Sequence, residues 1–592
     1  MRTGIFRRLL AIVMTLVCVF AYVVFEPASA LAENAREERQ MSENIASINS
    51  AWESSYSTYS PLVGELTNER DEDIKRFRRE DGAIELVSYS SPVHYMRDGE
   101  WAAIDNTLKY DEKTGRFVNT ANDFIVELGA DEPVLNISYN GETLSIAAIE
   151  MPGIIDRESA IKAVPAEKEK KEDLTDEEKD DLLRFPEELS SALAYYTADG
   201  KEAGLEYKLS GKSLSEYVTV FEKPEEAPVY VYTFTTSLIP HREENAVYFK
   251  NAEGEDVMYF SAPVMWDAEG NECFDFAVEL AENEDGSYTY TLVPDEKWLL
   301  SDERVFPVIV DPDVNVTYSG TISDTFISGT NPTTSYATVN GQKWDRIKIG
   351  GSARYRSLIK FSNLPALKPG DVIVYSGLEL SRYNTSTEYG KEIDAYRVQR
   401  IWNEGDVTWS NFYANSDAVD ASRIQSLVLT TIKNQFNDLD ITDLVKNWYA
   451  GTYTSWYTSQ SLPEQYSILL QLNGDTSSTW YTEYRSAEYN NSYSISPYFK
   501  IVYINSTGLE SRFSYSSQSA GRAGTGSVNL YSGNLTMSFA DAEIVNGTMP
   551  ISVSHVYNTN DSYNRPDEHF IVDAGYAYGW RLNYSQTIEA IS

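Results

Sequence analysis

The amino-acid sequence predicts a mainly β, multidomain protein, in which a jelly-roll-like β-sandwich module is flanked by antiparallel β regions. Short runs of alternating apolar and polar residues recur along the chain and are separated by Gly, Asn, Pro and Ser clusters, as in sandwiches of short strands. Turn pairs such as Asp81-Gly82 and Asp98-Gly99 fit tight hairpins. A chain of 592 residues is too long for one hydrophobic core, so several domains are expected.

The N-terminus has the layout of a secretory signal. Three arginines among the first eight residues precede an apolar run at 9–25, and small residues follow at 28–32. We therefore predict that residues 1–32 are a cleaved signal peptide, that the protein is secreted and cell-wall associated, and that no transmembrane anchor remains. An uncleaved anchor is the alternative, because the apolar run approaches spanning length. Of the two cysteines only Cys273 would stay in the mature chain, so stability must come from sheet burial rather than disulfides.

Composition divides the region before the module into two parts. Residues 33–73 are polar without clear alternation and are predicted to be a leader, whereas residues 74–314 read as a β-rich region. A densely charged insert at 167–193 interrupts this region, and Thr175 with Glu178 forms a capping-box signature for a short helix. Its carboxylates are interspersed with lysines and lack the spacing of a calcium loop, so we predict a solvated surface helix.

Residues 315–505 carry a series of landmarks in a fixed order. They are DTFI from Asp324, RSLIKF from Arg356, LEL from Leu378, WNEGDVTW from Trp402, DITDLVKNW from Asp440 and SPYFKIVY closing at Tyr503. Alternation in RSLIKF places Ile359 and Phe361 in the core and Lys360 outward. The order and spacing of the landmarks resembles the DNRLRE carbohydrate-binding-module family of secreted bacterial proteins. The resemblance implies a β-sandwich that binds cell-wall or acidic polysaccharide.

Candidate carbohydrate-binding residues come from polar, aromatic-rich segments of the module. Trp402, Trp409 and Trp448 could stack on sugar rings, but they belong to the recurring framework, and we predict that they close the ends of the sandwich. The binding candidates are Tyr383, Arg397, Tyr481, Tyr484 and Arg485. Relatives of the family are associated with acidic polysaccharides, which also directs attention to Lys348, Arg354, Arg356, Arg382 and Arg397, because arginine forks bind carboxylates.

Three aspartates form the densest carboxylate cluster of the module. Asp438, Asp440 and Asp443 could bind calcium, because hard cations prefer oxygen ligands. Asp440 or Thr442 more simply caps the helix predicted to follow. We therefore predict no cofactor, with calcium as the open alternative.

The last part of the chain resembles a different kind of protein. Residues 506–525 are rich in Ser and Gly and are predicted to be a linker. In 526–592, Asn534-Leu535, Met549-Pro550 and Gly579-Trp580 resemble the start of an Rhs/YD-repeat shell, and ELTNER from Glu65 resembles the N-terminal region of wall-associated Rhs-type proteins. The resemblance implies an incomplete shell that continues in a downstream Rhs or toxin segment.

The net charge and the catalytic motifs limit the functions that the sequence allows. A formal net charge of -41 argues against nucleic acid as a partner, because the phosphate backbone is repelled. The four histidines are scattered, and neither an H-E-x-x-H nor a G-x-S-x-G motif occurs, so we predict that the protein is not an enzyme. The predicted function is carbohydrate binding that tethers an Rhs-like body. The alternative is a spacer and shell-opening segment of a contact-dependent toxin delivery protein, without glycan affinity.

Overall fold

The computed structural model describes residues 59–582 with internal gaps. The gaps are 131–133, 151–162, 166–173, 186–191, 197–202, 319, 340–341, 369–370, 384–390, 415–417, 429–434, 451–465, 475–478, 490–495, 506–512, 522–523, 531, 545–550 and 560–578. The predicted signal peptide and most of the predicted leader lie outside the described residues. In the described part, no helix has the length and apolar character needed to span a membrane.

Antiparallel strands dominate the chain, and the helices are short. The strands before residue 221 are β1 (Leu62–Glu65), β2 (Ile74–Arg79), β3 (Ile84–Tyr89), β4 (His94–Arg97), β5 (Glu100–Ala103), β6 (Asp105–Asp111), β7 (Arg116–Ala121), β8 (Ile125–Gly129), β9 (Leu135–Tyr139), β10 (Glu142–Glu150), β11 (Ala163–Pro165), β12 (Ala192–Tyr196), β13 (Ala203–Ser210) and β14 (Ser213–Val220). Those up to residue 316 are β15 (Tyr230–Thr236), β16 (Ile239–Glu243), β17 (Ala246–Lys250), β18 (Asp256–Phe260), β19 (Val264–Trp266), β20 (Glu272–Cys273), β21 (Phe276–Glu282), β22 (Tyr288–Pro294), β23 (Val308–Asp311) and β24 (Val314–Val316).

The remaining strands belong to the module and to the C-terminal part. They are β25 (Ile322–Ser328), β26 (Thr338–Val339), β27 (Gln342–Lys343), β28 (Arg346–Gly350), β29 (Tyr355–Phe361), β30 (Asp371–Ser381), β31 (Glu392–Val398), β32 (Val419–Val428), β33 (Phe436–Asp440), β34 (Tyr466–Leu472), β35 (Tyr481–Arg485), β36 (Tyr498–Asn505), β37 (Tyr515–Ser519), β38 (Thr525–Asn529), β39 (Leu535–Ile544), β40 (Ile551–Asn558) and β41 (Trp580–Leu582). The helices are α1 (Asp176–Arg184), α2 (Glu296–Leu299), α3 (Trp409–Phe412) and α4 (Thr442–Ala450), with a 3-10 turn at Thr67–Glu69.

The region before the module is a β-sandwich with its own core. One sheet has the order β21-β22-β15-β10-β9-β8-β7-β6, and the other runs β11-β12-β13-β14-β24-β18-β17-β16, with β23, β19 and β20 attached. Rings from the two sheets interlock: the Phe234 and Phe249 centroids lie 5.7 Å apart, and those of Phe260 and Tyr290 lie 5.1 Å apart. The prediction of a mainly β protein with several antiparallel sheets is confirmed.

The module is a second β-sandwich, and one of its sheets contains strands from much earlier in the sequence. One sheet has the order β32-β31-β34-β29-β28-β35, with β25 paired to β29. The facing sheet has the order β1-β2-β3-β36-β30-β33, because β3 pairs with β36 from Ile84↔Tyr503 to Tyr89↔Tyr498. The Phe361 and Phe499 rings meet between the sheets at 4.7 Å.

Burial within β29 agrees with the predicted alternation. Ile359 and Phe361 are buried, as predicted, and Lys360 is half-buried. Leu358, which points to the opposite face, is buried as well, because Trp402 and Val407 pack on that face of the sheet.

Helix α1 packs against the module sheet, which corrects the prediction of a solvated helix. The predicted capping box between Thr175 and Glu178 is present. Asp180 Oδ1 accepts a 2.9 Å hydrogen bond from the Leu62 N–H, and Arg184 Nε donates one of 2.7 Å to Glu85 Oε1. Some charged side chains of this helix therefore bind groups of the module sheet, while others stay in solvent.

The strand pairing differs from the predicted domain boundaries. Strand β1 falls inside the segment 33–73, which was predicted to be a leader, and strands β1 to β3 share a sheet with the predicted module 315–505. Strand β37 lies inside the predicted linker 506–525. Long-range pairing of this kind leaves no local signature in the sequence, because alternation marks a strand but not its neighbours.

The chain divides into two compact units, of which the smaller contains Ile504–Ile588. Its described core is a five-stranded sheet in the order β37-β38-β39-β40-β41. His555 stacks on Phe539 with ring centroids 4.9 Å apart, and its Nδ1 lies 2.7 Å from Asp541 Oδ2. The likeness of 526–592 to the start of a repeat shell stays a prediction.

Three buried carboxyl groups lie on or beside the neighbouring strands β14, β23 and β24 of the first sandwich. Glu216, Asp311 and Asp313 are all less than a tenth exposed. Glu216 accepts a 2.5 Å hydrogen bond from the Tyr232 hydroxyl. Burial raises the pKa of Glu216 from 4.5 to about 7, and burial together with the neighbouring Asp313 carboxyl raises that of Asp311 well above its usual value. The raised pKa values favour the protonated forms of Glu216 and Asp311 in the folded protein, whereas the unfolded chain releases these protons at lower pH.

We expect Glu216→Gln to stabilise the protein at alkaline pH. A raised folded-state pKa gives stability that is fully present below the unfolded value and is lost as pH rises through the folded value, here from about 4.5 to about 7. The variant should therefore exceed the wild type by about 1–3 kcal/mol in free energy of unfolding at pH 8 and show no gain at pH 4. Urea unfolding at both pH values measures this. The exposed Glu253→Gln serves as control, and an equal gain at both pH values would contradict the assignment.

Candidate functional site

The landmark WNEGDVTW forms a turn that covers one face of the module sheet. Trp402 is 4% exposed, and its Nε1–H donates a 2.8 Å hydrogen bond to Ser467 Oγ on β34. Lys360 Nζ lies 4.7 Å from the centroid of the same indole. Thr408 and Asn411 form a capping box that begins helix α3, so the two ends of the turn are fixed.

Two arginines converge on the indole of Trp409, which is half-buried. The guanidinium carbons of Arg354 and Arg356 lie 5.1 and 4.8 Å from the ring centroid. Arg356 also donates a 2.6 Å hydrogen bond to the Tyr413 hydroxyl, and the Tyr413 ring packs on Trp409 at 4.8 Å. We call Arg354, Arg356, Trp409 and Tyr413 the arginine–tryptophan surface. Cation–π contact of this kind orients guanidinium groups and holds them near one another.

The backbone of Arg354 has an unusual conformation, and its side chain is held in place by Gly329. Its φ of 50° lies in the left-handed region, which side chains other than glycine seldom adopt. The guanidinium donates to the Gly329 carbonyl at 3.3 Å, and a Cβ on Gly329 would lie 2.7 Å from Arg354 Nε. Arg354 is exposed, and no carboxylate of the described residues pairs with it. In a chain with a net charge of -41, an exposed arginine without an acidic partner is a candidate for ligand contact.

Two of the five predicted binding residues are buried, which corrects the expectation that they form a surface. Tyr484 and Arg485 are 0% and 2% exposed. The Tyr484 hydroxyl donates to Asn437 Oδ1 at 2.7 Å, and Arg485 Nη1 donates to the Arg382 carbonyl at the same distance. Polar residue types in an aromatic-rich strand suggested exposure, but here they join the two sheets of the sandwich from inside.

Tyr383 contacts Glu272 and Arg346 where the module meets the first sandwich. Its hydroxyl donates to the Glu272 carboxylate, and the Arg346 guanidinium lies 3.8 Å from its ring centroid. Arg346 in turn binds both oxygens of Glu272, at 2.6 and 3.0 Å. The contacts of Tyr383 therefore connect two regions of the chain, and a ligand would have to compete with them.

Tyr481 and Arg397 remain candidate contacts. Tyr481 is 41% exposed, with Tyr355 at 6.3 Å and Lys348 Nζ at 5.8 Å from its ring. Arg397 is half-buried on β31. Neither residue belongs to the arginine–tryptophan surface as defined above, and a role of either in binding stays a prediction.

Most of the other cationic candidates are buried or form ion pairs within the protein. Lys348 pairs with Glu483 at 3.1 Å, and Arg382 is fully buried. Sequence alone could not separate them from Arg354, because each lies in a similar polar strand or turn. Trp402 and Trp448 are buried, in keeping with their predicted structural role, whereas Trp409 holds arginines at the surface.

Asp440 and Asp438 of the aspartate cluster bind groups of the protein itself. Asp440 Oδ1 accepts hydrogen bonds from the Thr442 N–H at 3.0 Å and from its hydroxyl at 2.6 Å, at the start of α4. Asp438 accepts a hydrogen bond from the Tyr375 hydroxyl and lies 3.7 Å from Lys500 Nζ. Within the described ranges, no three His, Cys, Asp or Glu side chains are placed to hold a metal ion. The expectation of no cofactor, with calcium as the alternative, stays a prediction.

Comparison with known proteins gives a family match over most of this module. Residues 315–492, less than half of the chain, match carbohydrate-binding module family 96. Over 473 residues the chain is 25% identical to the tRNA(Glu)-specific nuclease WapA of Bacillus subtilis subsp. natto, the tRNA3(Ser)-specific nuclease WapA of Bacillus spizizenii and the tRNA nuclease WapA of Bacillus subtilis strain 168. Each alignment covers 74% of this chain and 18% of the relative.

These matches correct one prediction. The expectation that the protein is not an enzyme is wrong, because all three relatives are named as nucleases. That expectation rested on the motifs of this chain, which spans 18% of the length of the curated relatives. The expected carbohydrate-binding module is supported by the family match.

Proposed function

We propose that the protein is secreted and binds an acidic polysaccharide, such as a cell-wall or environmental glycan, through the arginine–tryptophan surface of its module. The single observation that carries this proposal is Arg354, an exposed guanidinium held over Trp409 without an acidic partner among the described residues. Arginine binds carboxylates through paired hydrogen bonds, so a uronic acid unit suits this surface. The match to a carbohydrate-binding family supports a glycan as the source of that carboxylate.

The negative net charge of the protein makes polyanion binding at such a site more selective. The net charge of -41 disfavours non-specific adsorption of a polyanion, because the protein surface repels it. Binding would then depend on a local cationic group and would weaken as salt rises. Tyr481 and Arg397 are additional candidate contacts for a longer glycan chain.

Affinity electrophoresis of the full chain tests the proposal. Gels containing alginate, polygalacturonate or a neutral glucan should retard the wild type only with the acidic polymers, and the double variant Arg354→Ala, Arg356→Ala should migrate as in a plain gel. Circular dichroism would verify that the variant is folded, and parallel gels with chelator would reveal a need for calcium. Equal migration of the wild type in every gel would reject the proposal.

The names of the relatives favour a second candidate function. The chain would be part of a protein that cleaves tRNA, and its β-sandwiches would act as spacer and delivery segments that lead to an Rhs-like body. Incubation of the full chain with a tRNA pool, followed by gel analysis of fragments, tests the cleavage. Failure of all polysaccharides in the electrophoresis would favour the spacer role over tethering.

A further inference from the structure

An open cavity of about 310 Å³ lies beside the turn that begins with Trp402. Its lining includes three buried apolar side chains, namely Trp402, Val407 and Phe412. Its other lining residues are Arg400, Ile401, Asn403, Asp406 and Asn411. The cavity shares helix α3 with the arginine–tryptophan surface, since this helix contributes Phe412 to the cavity and Trp409 to that surface.

The cavity is held open by a rigid turn. Asn411 uses both ends of its amide, because Oδ1 accepts from the Thr408 N–H at 2.8 Å and Nδ2 donates to the Asp406 carbonyl at 2.7 Å. Arg400 Nη1 donates to the Phe412 carbonyl at 3.2 Å, which places the guanidinium at the rim. The shape is therefore largely set before any ligand arrives.

Two polar side chains at the rim are uncommitted. Asn403 and Asp406 are exposed, and in the part of the chain that the structure describes neither side chain makes a hydrogen bond or ion pair. Ile401, 45% exposed, adds apolar surface at the same rim. An amide and a carboxylate beside a guanidinium offer donors and acceptors for adjacent hydroxyl groups, while the exposed Ile401 side chain offers an apolar contact for the face of a ring.

We propose that this cavity is a second binding site, which takes one neutral, hydroxyl-bearing sugar ring. The proposal rests on carbohydrate binding by the module and adds a ligand of different charge. Neutrality follows from the rim, where the charges of Arg400 and Asp406 offset each other, in contrast to the unopposed Arg354. A single ring follows from the volume, which is at the lower end of the roughly 300–1,000 Å³ typical of ligand pockets.

Saturation-transfer NMR on the full chain tests the second site. The probes are glucose, galactose, mannose and N-acetylglucosamine at about 10 mM, a concentration that detects weak binding. We expect a signal from at least one of them, and its dissociation constant should rise about tenfold in Asp406→Ala and in Asn403→Ala. Neither residue supports the fold through a side-chain bond, so both variants should stay folded.

The control separates this site from the acidic-polysaccharide site. Arg354→Ala should leave the binding of the neutral sugar unchanged, and Asp406→Ala should leave retardation by the acidic polymer unchanged. Absence of signal from all four sugars, or equal binding by Asp406→Ala and the wild type, would overturn the second site whatever the acidic polymers do.

Discussion

Phe77→Ala is expected to lower the free energy of unfolding of the module by about 3–5 kcal/mol, although Phe77 lies far upstream of the family-matched residues 315–492. Phe77 is on β2, is fully buried, and belongs to the cluster that includes Tyr89, Phe185 and Tyr498. Truncation would leave a cavity between the sheet and helix α1. The module should therefore lose stability through a residue that its own sequence segment does not contain.

Chemical denaturation followed by tryptophan fluorescence measures this loss, because Trp402 and Trp448 are buried within the module and report its unfolding. Val63→Ala on the neighbouring strand β1 is the matched control. Val63 is 52% exposed, so its truncation should change stability by no more than about 0.5 kcal/mol. If the transition of the module tryptophans were identical in Phe77→Ala and wild type, strands β1 to β3 would not be part of the module.

Arg184→Ala should destabilise the same sheet by about 3–5 kcal/mol, because it leaves a buried carboxylate without its partner. The side chains of Arg184 and Glu85 are 10% and 3% exposed and meet at 2.7 Å. The Arg184 carbonyl also accepts hydrogen bonds from Lys75 and Tyr89, which fix the end of α1 on the sheet. Breaking one partner of a buried pair costs far more than the pair contributes when both are replaced.

The same helix contains its own control for this experiment. Lys179 pairs with Asp176 at 2.8 Å, but both side chains are more than half exposed, so Lys179→Ala should cost less than about 1 kcal/mol. The double variant Arg184→Met, Glu85→Met should recover much of the stability that Arg184→Ala loses. Equal small losses for Arg184→Ala and Lys179→Ala in urea unfolding would mean that α1 does not dock as described.

Local features of the fold were predictable from the sequence. Alternation in β29 identified Ile359 and Phe361 as core residues, and the spacing of Thr175 and Glu178 identified the start of α1. These signals act within a few residues, where backbone geometry fixes which side chains share a face. The sequence did not reveal that α1 docks on a distant sheet, because that contact depends on Glu85, about a hundred residues away.

The candidate site was only partly predictable for a similar reason. Resemblance pointed to several arginines, and only the folded chain distinguishes Arg354, which has no acidic partner, from the fully buried Arg382. Asn403 and Asp406 were missed altogether. A signal was present in WNEGDVTW, where a polar stretch lies between apolar anchors, but the same pattern describes an ordinary surface turn.

Titration calorimetry with an acidic polysaccharide that retards the full chain would test the central claim most directly. Arg423→Ala is the charge-matched control, since Arg423 is a half-exposed cation paired with Asp394 on the same module sheet. We predict that Arg354→Ala weakens binding about 10- to 100-fold, as expected for losing a charge-assisted hydrogen bond of about 1.5–3 kcal/mol, and that Arg423→Ala binds like the wild type. Equal affinities for Arg354→Ala and wild type would contradict the assignment of the arginine–tryptophan surface as the glycan site.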